Sequence, residues 1–213
     1  MTSRSDNLPR GRKSRNDRLA RNHAGSWGTS SIDILVLLRK IYLLSKKDAE
    51  DIDGNCSRWT YCGIPLTLSA LRCLIIEYAS WGPSDGKLLE ILAENDDLRR
   101  ILLHLKAPQP LIEETEYLIE IRNEITHPVH RPSGTRDNWP DYLRALKEKE
   151  LLQTTGNTDG DYILLDQIAS HRLFSWACDV TRDVALFIMK SDAQKWSHFG
   201  AFADTWCKLT DVR

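Results

Sequence analysis

The chain has 213 residues, 41% hydrophobic and 28% charged, with a formal net charge of −1. That is enough for one well-cored domain, or one domain plus a tail, with the composition of an ordinary globular protein. The longest apolar run, Val184 to Met189, is too short to cross a bilayer, and the basic N-terminus lacks the apolar stretch of a secretory signal. The expectation is therefore a cytoplasmic protein with no membrane partner.

Five cysteines (Cys56, Cys62, Cys73, Cys178 and Cys207) are odd in number and scattered, so no disulfide framework is implied. None stands at the spacing of a zinc knuckle, and no His pair accompanies them. Cys73 and Cys178 fall in apolar helical stretches and read as buried thiols. No metal and no cofactor is expected.

Residues 1–28 are rich in Arg, Ser, Asn and Gly. The first 25 hold seven basic and two acidic side chains, net +5, leaving 22 basic and 28 acidic on the rest, net −6. This reads as a disordered basic arm on a mildly acidic body, either a solvated leader or a tail that touches nucleic acid. Residues 29–213 read as a single helical domain.

Ser30 or Ser31 suits an N-cap, with Asp33 in the first turn of a helix over about Ile32–Lys46. Residues 48–63, with Gly54, Asn55 and Gly63, read as a connecting loop or short helical turns. Pro65 suits the first position of the next helix, which runs to Trp81 and is apolar nearly all round, hence central. Gly82-Pro83 ends it. Ser84 or Asp85 caps a helix to about Ala93, and a further piece runs from Leu98 to Lys106. A helix over Leu111–His127 follows, with Leu111, Leu118 and Ile125 at heptad spacing, and Pro128 stops it. After an aperiodic basic loop (128–139) comes a short helix over Pro140–Glu150. Two apolar runs around Gly156-Asn157-Thr158-Asp159-Gly160 predict a possible small β-hairpin near 151–165. Long helices are expected over about Asp166–Lys190 and Ala193–Leu209. The predicted class is all-α, a helical bundle.

Six residues carry the chemistry: Arg122-Asn123-Glu124-Ile125-Thr126-His127. Arg is a permanent cation whose forked donors match phosphate, and His is the side chain best placed to move protons near neutral pH. Asn123 and His127 are four apart and share a helix face. Arg122 and His127 are separated by about 140° around the axis. One chain would therefore hold them splayed, and two chains paired about a two-fold axis could bring an Arg and a His into one cleft. The negative end of the helix dipole favours positive charge on His127, which suits an acid. Asn123 could fix its tautomer, and Arg122 could hold non-bridging phosphate oxygens. The plain structural alternative is that Arg122 and His127 are helix-end salt-bridge partners of Glu120 and Glu124.

Arg122-Asn123-x3-His127, late in a helix of an all-helical chain, resembles the Arg-x4-His signature of HEPN domains. The stretches Tyr142–Leu152 and Ser170–Trp176 look similar to the C-terminal part of bacterial HEPN-type proteins. The resemblance spans about residues 30–190, and its specific part is the six-residue motif. It implies a HEPN-like bundle and a dimeric, metal-independent endoribonuclease acting on RNA, as a toxin or phage-defence effector with an antitoxin or defence-system partner. Arg122 and His127 would be the catalytic pair and Asn123 their helper. Some members of the family lack activity and serve as binding or interaction modules. A subgroup carries Tyr two residues after the His, where this chain has Val129, which argues against that mode of control.

Supporting candidates are Glu77, His130 and Arg131. Glu77 lies in the most apolar helix and needs a partner there, for which Arg122 or Arg72 would serve, unless it is exposed. His130 and Arg131 could grip RNA beyond the scissile bond, or form an ordinary basic loop. His171 and Arg172 read as structural residues at a helix start, and Trp139, Trp176, Trp196 and Trp206 as core or interface anchors. The two readings from other classes are a non-catalytic module binding RNA, a nucleotide or a protein, and a purely structural dimerisation domain.

Overall fold

The computed structural model describes residues 30–51, 55–80, 85–94, 97–127, 139–153, 164–193 and 203–211. The basic arm, the loop bearing His130 and Arg131, and Trp196 lie outside these residues. The fold is an all-α bundle with no strand among the described residues. Its helices are α1 (Ser31–Asp51), α2 (Thr60–Ser80), α3 (Gly86–Glu94), α4 (Leu98–His104), α5 (Gln109–Thr126), α6 (Asp141–Glu148), α7 (Leu164–Ile168) and α8 (His171–Lys190). A last helical turn covers 203–207 and buries Trp206 completely.

α2 and α8 form the centre, with α1 and α5 packed against both. Their N-terminal ends are joined. The Asn55 carbonyl accepts from His171 N (3.0 Å), and Asn55 Oδ1 accepts from Arg172 N (3.0 Å). Ser170 Oγ accepts from Leu173 N and from Asn55 Nδ2. The first amides of α8, which no helix can satisfy from within, thus all find partners. Ser57 N donates to the Ala169 carbonyl (2.9 Å), and Thr60 Oγ1 to the Ser170 carbonyl (3.0 Å), which fastens the start of α2 to the same point. Asn55 adopts φ 65°, a left-handed conformation that Asn tolerates better than most residues. At the far ends the Tyr78 and Ser191 hydroxyls meet at 2.7 Å. Bound at both ends in this order, the two central helices run parallel.

Between those ties, the helices touch at Gly63. A β-carbon there would lie 2.3 Å from Phe174 Cζ, so the fully buried ring fills the space a side chain would need. This corrects the expectation that Gly63 belongs to a loop and that α2 begins at Pro65. The helix begins at Thr60, and Pro65 lies within it. A glycine in a close-packed helix and a glycine in a loop look alike in sequence.

α1 is longer than expected. Ser30 is its cap: Asp33 Oδ2 accepts from Ser30 N and Oγ, and Ser30 Oγ accepts from Asp33 N. Leu35, Leu38, Ile41, Tyr42 and Ser45 face the core at spacings of three and four. Only part of the predicted hairpin falls among the described residues. Leu151–Gln153 is irregular, with Gln153 N donating to the Gln167 carbonyl, and Leu164 and Leu165 open the helical turn α7. The expected helix from Asp166 is broken at Ser170, whose extended backbone (φ −121°, ψ 126°) resets the chain before α8. α2 is also long and apolar enough to cross a membrane by length and composition, with half of its most apolar window buried inside the protein.

Cys178 is fully buried, and burial pushes its thiol well up; Cys73 is half-buried, with burial and then the Glu77 carboxylate pushing its thiol up. His171 Nδ1 lies 3.0 Å from Ser45 Oγ, and its ring is tilted against Tyr42 at 5.1 Å. Burial, then the nearby Lys46 charge, holds its imidazole below the usual range.

Two predictions follow from this packing. Gly63→Ala should cost about 1–3 kcal/mol by forcing Phe174 aside, and Phe174→Leu in the same chain should recover part of it, both read by urea denaturation. Protonating His171 is harder in the folded than in the unfolded chain, so stability is full at neutral pH and falls as acid protonates the unfolded state. The urea midpoint should drop from about pH 7 to about pH 5, and His171→Gln should flatten that slope.

Candidate functional site

α5 carries the motif. Pro110 lies in its first turn, where a missing N–H costs nothing. Its core face is Ile112, Thr115, Leu118, Ile121 and Glu124, so Leu111 and Ile125 of the expected heptad seam lie at the edges of the buried stripe, half-exposed. Its flanks are tied by polar contacts. Glu114 accepts from Lys149 and from Trp176 Nε1, and Arg99 pairs with Glu116.

Glu124, the third residue of the motif, is 6% exposed and accepts a hydrogen bond from the Tyr142 hydroxyl. It binds α6 to α5 from inside the bundle. To the partners considered for Glu124 the structure adds Tyr142, which the sequence does not suggest.

On another side of α5, Ile119, Arg122 and Thr126 recur at spacings of three and four and share a face. This face lines a groove of about 640 Å³. The facing wall comes from α2: Pro65, Leu68, Ser69, Arg72 and Ile75. Leu98 and Ile101 of α4 close the floor with Asp97, whose Oδ1 caps α4 by accepting from Arg100 N. The groove thus has an apolar bed, two hydroxyls, two guanidiniums and one carboxylate. Arg122 Nε is buried and finds no hydrogen-bond partner among the described residues. A buried donor without an acceptor costs about 1–3 kcal/mol, and Trp206 Nε1 in the core is in the same condition.

His127 is not on the groove wall. It caps α5 (φ −135°, ψ 64°), is exposed, and is held through its main chain, its N–H donating to the Asn123 carbonyl at 2.8 Å. Asn123 is half-exposed on the adjoining face. The motif is therefore divided, with Arg122 in the groove and His127 at the helix tip.

Glu77 is elsewhere. Its Oε1 accepts from Ser31 N (2.8 Å) and its Oε2 from Ser31 Oγ (2.6 Å), so it caps α1 from α2 and does not meet Arg122. The negative charge of this half-buried carboxylate at a helix N-terminus is favourable. In the sequence Arg72 reads only as a partner for Glu77, and Ser69 carries no signal of its own. Their spacing with Leu68 and Pro65 marks a polar edge on an otherwise apolar helix, and only α5 opposite gives that edge a meaning. Among the described residues, no group of three or more His, Cys, Asp or Glu side chains is placed to hold a metal ion.

The chain matches no protein-family model, no curated protein and no solved structure.

Arg122 Nε, buried with no partner among the described residues, should cost stability. Arg122→Met keeps the apolar stem and removes the orphaned donor. It should raise the unfolding free energy by about 1 kcal/mol, measured by urea denaturation, whereas Glu124→Ala should lower it by about 1–3 kcal/mol by removing the buried acceptor of the Tyr142 hydroxyl.

Proposed function

We propose that the chain is a metal-independent endoribonuclease of the HEPN type. The observation that carries this reading is the buried, unpartnered Nε of Arg122 on the wall of an open groove, with Arg72 opposite and the motif His at the end of the same helix. Two guanidiniums across an apolar bed suit a phosphodiester flanked by bases.

In the proposed reaction the RNA supplies its own nucleophile. The 2′-oxygen attacks phosphorus in line as its proton passes to a base. The P–O5′ bond breaks, and the departing 5′-oxygen takes a proton. The products are a 2′,3′-cyclic phosphate and a 5′-hydroxyl end. His127 is the proposed proton donor or acceptor, and Arg122 stabilises the charge gathering on the non-bridging oxygens. Because the two side chains leave α5 on different faces, the proposed enzyme is a homodimer in which one chain completes the other's site. A toxin or defence role, with a cognate antitoxin or defence-system partner, belongs to the same proposal.

A second reading is favoured by one observation: His127 stands off the groove. A non-catalytic module would use the groove alone to bind RNA or a nucleotide, with Arg122 and Arg72 holding phosphate.

The experiment is cleavage of end-labelled single-stranded RNA in EDTA by the wild type, Arg122→Ala and His127→Ala. The expected outcome is cyclic-phosphate products from the wild type, and at least a hundredfold loss in either variant, about 2.7 kcal/mol of transition-state stabilisation. Binding without cleavage, weakened by Arg122→Ala and indifferent to His127→Ala, selects the second reading.

A further inference from the structure

The outward face of α1 breaks the rule that a surface helix turns polar residues to solvent. Val36, Leu37, Leu43 and Leu44 are 50%, 48%, 43% and 42% exposed among the described residues. Exposed Trp59 and Leu103 are isolated cases of an ordinary kind, but these four lie together. At about 100° per residue, Val36 and Leu44 stand about 40° to either side of Lys40, and Leu37 and Leu43 about 60°. The buried face of Leu35, Leu38, Tyr42 and Ser45 lies opposite, with buried Ile41 at its edge next to Leu37. Asp33, Lys40 and Lys47 run along the midline between them.

This pattern is self-complementary. Reversal about Lys40 exchanges Val36 with Leu44, Leu37 with Leu43, and Asp33 with Lys47. The first two exchanges swap aliphatic for aliphatic, and the third swaps an acid for a base. The point of reversal is also near the middle of α1 (Ser31–Asp51), so two helices laid antiparallel overlap along almost their whole length.

We propose that α1 is a docking surface for a second copy of this chain, packed antiparallel about a two-fold axis at Lys40. Each half of the contact then repeats in order: an Asp33–Lys47 ion pair, a layer of four aliphatic side chains, and the Lys40 pair on the axis. A two-fold contact must be self-complementary in this way. The two Lys40 ammonium groups repel and turn outward along their stems, which weakens the contact but penalises other registers, as a single polar residue does in a helical seam. The contact uses none of the motif residues and does not depend on the ribonuclease reading.

The test is sedimentation equilibrium of the full chain at up to roughly 100 µM, with circular dichroism to show that each variant is folded. Leu44→Asp should remove one doubling of the mass, because it sets a charge in each aliphatic layer. Lys47→Glu should weaken association about tenfold or more by facing the partner's Asp33, and high salt should weaken the wild type but not this variant. Lys40→Leu should tighten association roughly tenfold by replacing the like-charged pair. A wild-type monomer throughout this range, or an assembly indifferent to Leu44→Asp and Lys40→Leu, overturns the proposal. Arg122→Ala should associate as the wild type does, which keeps this test separate from that of cleavage.

Discussion

Asn55 holds this architecture in place. Its carbonyl and its side-chain oxygen take the first two amides of α8, and its side-chain nitrogen holds the Ser170 hydroxyl that caps the third. Two helix N-termini brought side by side would otherwise present several buried donors with no acceptor. Because Ser57 and Thr60 bond to the same segment, the start of α2 is fixed relative to the start of α8. The parallel alignment of the two central helices, the meeting of Gly63 with Phe174 and the surfaces offered to α1 and α5 all follow from that junction.

The groove is a consequence of the same arrangement. α5 packs its apolar stripe on the central pair and uses Glu124, a charged residue, to reach Tyr142 of α6. With that side committed inward, Ile119, Arg122 and Thr126 are turned toward α2 and α4. Arg122 lines the groove with Leu98, Ile101 and Ile119, and its Nε is buried without an acceptor among the described residues.

α1 shows the same logic at the surface. Its inner face is fully used by the core and its first turn is capped by Ser30 and Glu77. Its outer face carries four aliphatic residues that nothing among the described residues covers, arranged around charges whose order reads as its own complement in reverse. A helix held this firmly on one side is a rigid platform on the other, which lowers the entropic cost of docking.

The sequence by itself determined the helices. The i, i+3, i+4 patterning of α1 and α5, the caps at Ser30 and Asp85, and the stop after His127 are local properties of neighbouring residues, whereas the break at Ser170 that starts α8 was not legible as a cap. It also determined that Arg122 and His127 diverge, because five residues on a helix fix that angle. The tertiary structure decided what each polar group faces. Glu77 and Glu124 each had several possible partners, and only packing selected Ser31 for one and Tyr142 for the other. Gly63 could be read as a loop residue until Phe174 was found against it. The groove joins residues from 65 to 126, and no local pattern encodes a contact across that separation. Periodicity and capping act over one turn of helix, whereas burial, pairing and enclosure depend on which distant faces meet.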